Sequence, residues 1–122
     1  MKYCWTTLTV KNMDESLKFY QEVIDLPLLK RYPAGPKTEI AFLGNGETQI
    51  ELICHNNQAE TAFGSDISLG FDVESLDTML EYVREKGIPI HSGPFQPNPN
   101  IQFFFIQDPN GLKIQFVQNL MV

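Results

Sequence analysis

The chain spells one pattern twice, and that repetition restricts its fold more than any other feature. Residues 3–54 read as a strand, a helix and three more strands, and residues 66–118 read as that order again. Glu15-Ser16-Leu17 recurs as Glu74-Ser75-Leu76 near the start of each helix. A repeated supersecondary unit predicts a duplicated βαβββ module. Module 1 is expected over 1–54 and module 2 over 66–122, with the polar segment 55–65 as linker. At 122 residues, 43% hydrophobic and 20% charged, the two modules make one ordinary domain, long enough to bury most of its surface without staples.

Local signals set the expected elements. A first strand at 3–10 runs into Asn12, which can cap a helix over 13–25 with Glu15 as its capping-box partner. Leu17, Tyr20 and Ile24 form its buried stripe, Lys18 and Gln21 face water, and Pro27 follows its end. Strands are expected at 28–33, 38–43 and 48–54, between the Pro33-Ala34-Gly35-Pro36 and Gly44-Asn45-Gly46 turns. Module 2 predicts a strand at 66–73 and a helix at 75–86 with Leu76, Leu80 and Val83 inward and Gly87 as its stop. Extended segments then follow at 88–92, 101–107 and 112–118. The last two meet at Asp108-Pro109-Asn110-Gly111, where proline presets φ and the next two residues tolerate left-handed backbone.

Composition excludes some function classes. A net charge of −6 with no Lys or Arg cluster argues against nucleic acid and anionic membrane as partners. No apolar run reaches membrane-spanning length, and the start MKYCWTTLTV lacks the basic and small-residue features of a signal peptide, so the expected compartment is the cytoplasm. Cys4 and Cys54 lie outside any CxxC motif and are expected to be reduced packing residues facing the helix layer. His55 and His91 read as surface residues, and no nucleophile triad, phosphate loop or zinc motif is visible.

Phe19-Tyr20-x-x-Val23-Ile24 resembles the first helix, and Asp108-Pro109-Asn110-Gly111-x-x-Ile114 the closing hairpin, of the vicinal oxygen chelate superfamily, which holds glyoxalases, bleomycin-resistance proteins and extradiol dioxygenases. The resemblance spans essentially the whole chain. It implies an α+β fold in which two βαβββ modules curl an open, half-barrel mixed sheet around a cleft, with helices outside. It also implies a small-molecule ligand, homodimerisation, and a divalent metal on one position of the first and last strand of each module. Those positions carry over as Trp5, Glu51, Asp66 and Gln115, where a glyoxalase I-like protein would show His, Glu, His and Glu.

Three of the four depart from that set. Indole nitrogen has no lone pair for a metal, and a glutamine oxygen carries no charge. Glu51, Asp66 and Gln115 are therefore weak metal candidates, and no cofactor is expected; the alternative is a loosely held magnesium, manganese or zinc. Glu51 and Asp66 are the candidate catalytic groups for a lactoylglutathione-lyase-like lyase or isomerase. Strand alternation adds Tyr3 and Thr7 to the face of Trp5, Gln49 and Ile53 to that of Glu51, and Ser68 to that of Asp66. Phe103 and Phe105 are assigned to the cleft, and Phe104 and Ile106 to the helix side. The expected ligand set is Trp5, Thr7, Glu51, Asp66, Ser68, Phe103, Phe105 and Gln115, an aromatic and acidic wall. It suits a small-molecule binder with a degenerate metal site, or a resistance protein binding a cationic antibiotic.

Overall fold

Parallel pairing of the first and last strand, with two antiparallel strands beyond, gives each half of the chain the same mixed four-stranded sheet. This is seen in a computed structural model that describes residues 1–56 and 60–120. The middle of the expected linker, 57–59, lies outside the described residues. The chain divides into two compact units, Met1–Ala62 and Phe63–Val122.

Module 1 contains β1 (Trp5–Thr9), α1 (Met13–Lys18), β2 (Leu28–Pro33), β3 (Thr38–Leu43) and β4 (Gln49–His55), in sheet order β1-β4-β3-β2. The Asn12 side chain accepts from the Glu15 amide at 2.9 Å, the cap expected from sequence. After Lys18 the helix widens into a π-helical turn, Phe19–Val23. This wider turn shifts the stripe: Leu17 and Tyr20 are buried as expected, while Ile24 is only partly so and Phe19 joins the core. Asp25 ends the segment in the left-handed region at φ 63°. An L side chain is strained there, so Asp25→Gly is expected to raise stability by about 0.5 kcal/mol after the added unfolded-chain entropy is subtracted, read as a higher urea midpoint.

Module 2 contains β5 (Ser68–Asp72), α2 (Leu76–Glu85), β6 (Ser92–Asn98), β7 (Ile101–Gln107) and β8 (Lys113–Asn119), in order β5-β8-β7-β6. Ser75 caps α2 by accepting from Thr78, and Leu76, Leu80 and Val83 are buried. At the other end Gly87 takes φ 73°, and the amides of Gly87 and Ile88 bond back to Arg84 and Val83, which closes the helix as a Schellman motif. The Gln118 side chain accepts from the Leu76 amide at 2.7 Å and from Gln102 at 3.0 Å, tying the start of α2 to β8 and β7.

Three boundaries differ from expectation. β1 begins at Trp5, so Tyr3 lies before the strand, with its hydroxyl on Thr6, and Cys4 is exposed rather than packed under the helix. Cys54 is half-buried on the helix side, and both thiols are free. β5 begins at Ser68 because the chain turns at residues 65 and 66. The strand expected at 88–92 falls at Ser92–Asn98, with its register against β7 broken twice, where Gly93, Pro94 and Pro97 interrupt regular pairing.

In each module one sheet face carries the helix. The helix side of module 1 buries Leu8, Ala41, Leu43 and Leu52; that of module 2 buries Phe104, Ile106, Ile114 and Phe116. α1 packs on β4 and α2 on β8. The opposite faces carry the candidate site residues.

Candidate functional site

On the open face of module 1 the strand register aligns four side chains in one row. Thr7 on β1 stands opposite Glu51 on β4, Glu51 opposite Phe42 on β3, and Phe42 opposite Lys30 on β2. Adjacent strands lie about 4.8 Å apart, so the row spans roughly 14 Å. The Thr7 hydroxyl donates to Glu51 Oε1 at 2.5 Å, which fixes the carboxylate. Trp5, two residues before Thr7, meets Phe42 edge to face at 5.3 Å, and Lys30 Nζ stands 4.6 Å from the Phe42 ring centre. Phe42 is thereby buried, whereas Trp5 keeps 47% of its surface exposed. The face presents an ammonium, the exposed edge of Trp5 seated on buried Phe42, and a buttressed carboxylate.

Lys30 and Phe42 were not among the residues singled out from sequence. Alternation inward from Glu51 would have found Phe42. Lys30 was hidden by a bulge: Leu28 pairs with Leu43 but Lys30 with Phe42, so Leu29 is the extra residue that turns Lys30 onto this face.

Module 2 repeats the register with different chemistry. Gly70 on β5 is opposite Gln115 on β8, as Thr7 is opposite Glu51. A Cβ on Gly70 would meet Gln115 Oε1 at 3.5 Å, an ordinary contact, so glycine here leaves the glutamine without the hydroxyl buttress that Glu51 has. Phe103 and Phe105 lie on this open face, with ring centres 5.8 Å apart. Phe95 continues the series at 5.6 Å from Phe103, and Lys113 Nζ sits 5.7 Å from Phe105. Phe95 and Lys113 extend the expected aromatic wall.

The register also corrects one assignment. Trp5 lies two residues ahead of the partner of Glu51; in module 2 the residue two ahead of the partner of Gln115 is Ser68. Asp66 lies in the turn before β5 and does not hold the Trp5 position. Repeat spacing carried the signal: Ser68 follows Trp5 within one position of the Glu51-to-Gln115 spacing, and Asp66 falls three short.

The family resemblance implies a divalent metal on two such positions of each module. Here they are Trp5 and Glu51 in module 1, Ser68 and Gln115 in module 2. Indole donates only, serine and glutamine are neutral, and the one anionic ligand already accepts from Thr7. Neither module's pair of donors fits zinc or nickel. Among the described residues no group of three or more His, Cys, Asp or Glu side chains is placed to hold a metal. His55 pairs with Thr38 at the end of β4 and His91 with Ser92. No helix among the described residues is long and apolar enough to cross a membrane.

Comparison with known proteins agrees with this architecture. A lactoylglutathione lyase of Neisseria meningitidis is 34% identical, the match covering 97% of this chain and 91% of that protein. The fold is shared with glyoxalase I of Leishmania major, at a TM-score of 0.84 and 22% identity over 97% of this chain and 86% of that one. It is shared also with an antibiotic-binding protein from Streptomyces, at a TM-score of 0.76 and 18% identity over 98% and 96%. Residues 2–116 match the Glyoxalase/Bleomycin resistance protein/Dioxygenase superfamily, and with the duplicated βαβββ register they make the chain a member of that superfamily.

Proposed function

We propose that this protein binds a small organic molecule on the open face of module 1, without the metal that supports glyoxalase chemistry. One observation carries the reading: the row Lys30, Phe42, Glu51, Thr7, with Trp5 packed against it. The exposed indole of Trp5, seated on buried Phe42 on the face that also carries Lys30 and the fixed carboxylate, suits a ligand with a flat or apolar body, an acceptor or anionic group toward Lys30, and a donor or cationic group toward Glu51. The open face of module 2 carries an aromatic series of its own, Phe95, Phe103 and Phe105.

The comparisons by themselves favour a second reading, a lactoylglutathione-lyase-like activity, because relatives about one-third identical over nearly the full chain carry that name. Glu51, oriented by Thr7, is then the group able to move a proton. Against it stands the donor chemistry of each module, since Trp5 beside Glu51 and Ser68 beside Gln115 are poor metal ligands. An antibiotic-binding role has the support of the Streptomyces neighbour's fold and the −6 charge, both compatible with a cationic ligand. Homodimerisation is part of the proposal and is checked by light scattering.

Trp5 is the only tryptophan, so it reports on its own face. Titration with lactoylglutathione and with a cationic bleomycin-type drug is expected to change Trp5 fluorescence saturably for one of them. Glu51→Gln should weaken that change by about tenfold, as expected for loss of a charged hydrogen bond. Turnover of a methylglyoxal and glutathione mixture, appearing on addition of nickel, zinc, magnesium or manganese and lost in Glu51→Gln, would replace the metal-free reading with the lyase.

A further inference from the structure

Module 1 holds a pocket of about 360 Å³ at one end of its sheet, where the β1–α1 connection, the β2–β3 turn and the end of β4 converge. Arg31, Glu39 and Cys54 line it from the sheet face opposite Lys30, Phe42 and Glu51, so it is separate from the row described above. Three of the chain's nine Lys and Arg residues, Lys11, Arg31 and Lys37, gather there in a protein of net charge −6.

The carboxylates in the pocket wall are Asp14 and Glu39, and both are bound to one guanidinium. Glu39 takes Arg31 Nε at 2.7 Å and Nη2 at 3.1 Å, while Asp14 takes Nη2 at 2.8 Å. Those bonds hold Arg31 protonated more firmly than an ordinary arginine, Glu39 contributing most and Asp14 next. They also use three of its five N–H donors, and the pair on Nη1 has no partner among the described residues, on a side chain that cannot swing away. The triad as a whole is a single negative charge. Lys11 and Lys37 add two positive ones, and Lys37 has no ion pair among the described residues.

We propose that this pocket binds the anionic oxygen group of a small organic molecule, a carboxylate or phosphate, held by Lys37, Lys11 and the Nη1 edge of Arg31. Its volume lies at the lower end of the roughly 300–1,000 Å³ of ligand pockets, enough for such a group with a few carbons attached. Water keeps access to both lysines, so a bare anion should bind only weakly, in the millimolar range that an exposed charge-assisted contact gives.

The test uses the full chain, uniformly labelled with ¹⁵N, titrated separately with acetate and with inorganic phosphate at ionic strength held constant by sodium chloride. The expected result is a saturable shift of the amides of Lys11, Asn12, Lys37 and Thr38 with one or both probes. Saturation by phosphate alone assigns a phosphate group, and saturation by both assigns any oxyanion. The double variant Lys11→Gln, Lys37→Gln should weaken the saturating probe by roughly tenfold, from two exposed contacts worth up to about fivefold each, while signals elsewhere stay unchanged. Shifts that never saturate, or that persist unchanged in the double variant, would overturn the proposal.

Discussion

Phe104→Ala is expected to cost about 3–5 kcal/mol, and Phe105→Ala, its neighbour on the same strand, under about half as much. Phe104 is 0% exposed, packed against Phe116 at 5.3 Å in the core between α2 and its sheet. Removing its ring takes away the transfer free energy of a whole aromatic side chain and leaves a cavity that rigid β7 and β8 cannot close. The loss is a large share of the roughly 5–15 kcal/mol that a domain has in total. Phe105 points the other way, onto the open face beside Gln115 and Lys113, where its loss removes lining instead of core. Urea unfolding of the two variants checks this. Equal losses would mean that the open face of module 2 is packed like an interior and is not available to a ligand.

Asp108→Ala is expected to cost about 2–4 kcal/mol, and Asp108→Asn about 1 kcal/mol. The carboxylate, only 5% exposed, holds the closing hairpin from inside. Its Oδ1 accepts from the amides of Asn110 at 2.8 Å and Leu112 at 2.9 Å, and its own amide bonds to the Leu112 carbonyl at 2.8 Å. Alanine leaves two amides without an acceptor in a site that water does not reach freely, and the adjoining Leu112 side chain is fully buried. Asparagine keeps one oxygen in the same position. The ordering alanine far below asparagine, measured by thermal melting, separates this local hydrogen-bonding role from a simple dependence on charge.

Most of the fold could be read from residue patterns because its elements are coded locally. Asn12 and Ser75 accept from the amides three residues ahead, and Gly87 supplies a left-handed backbone, all within one helical turn. Phe103 to Ile106 alternate between two faces because a strand leaves no other arrangement. The failures share a cause. The π-helical turn at Phe19–Val23 and the bulge at Leu29 each displace one residue from the expected period, and neither has a short-range code. Ile24 lost its place in the core through the first, and Lys30 gained its place on the open face through the second.

Sequence alone determined that the chain is built from two copies of one module and that its scaffold belongs to the glyoxalase superfamily. Only tertiary structure decided which residue of module 2 stands where Trp5 stands in module 1. Side-chain direction repeats every two residues, so a small error in where a strand begins leaves the face unchanged while moving the position along it. Asp66, expected at that position, and Ser68, expected on its face, were separated only when parallel pairing of β5 with β8 put Ser68 opposite Lys113 and Gly70 opposite Gln115. The same cross-strand pairing brings Lys30 and Thr7, far apart in the chain, into one row with Phe42 and Glu51, because register sums contributions from four strands and no single segment contains it.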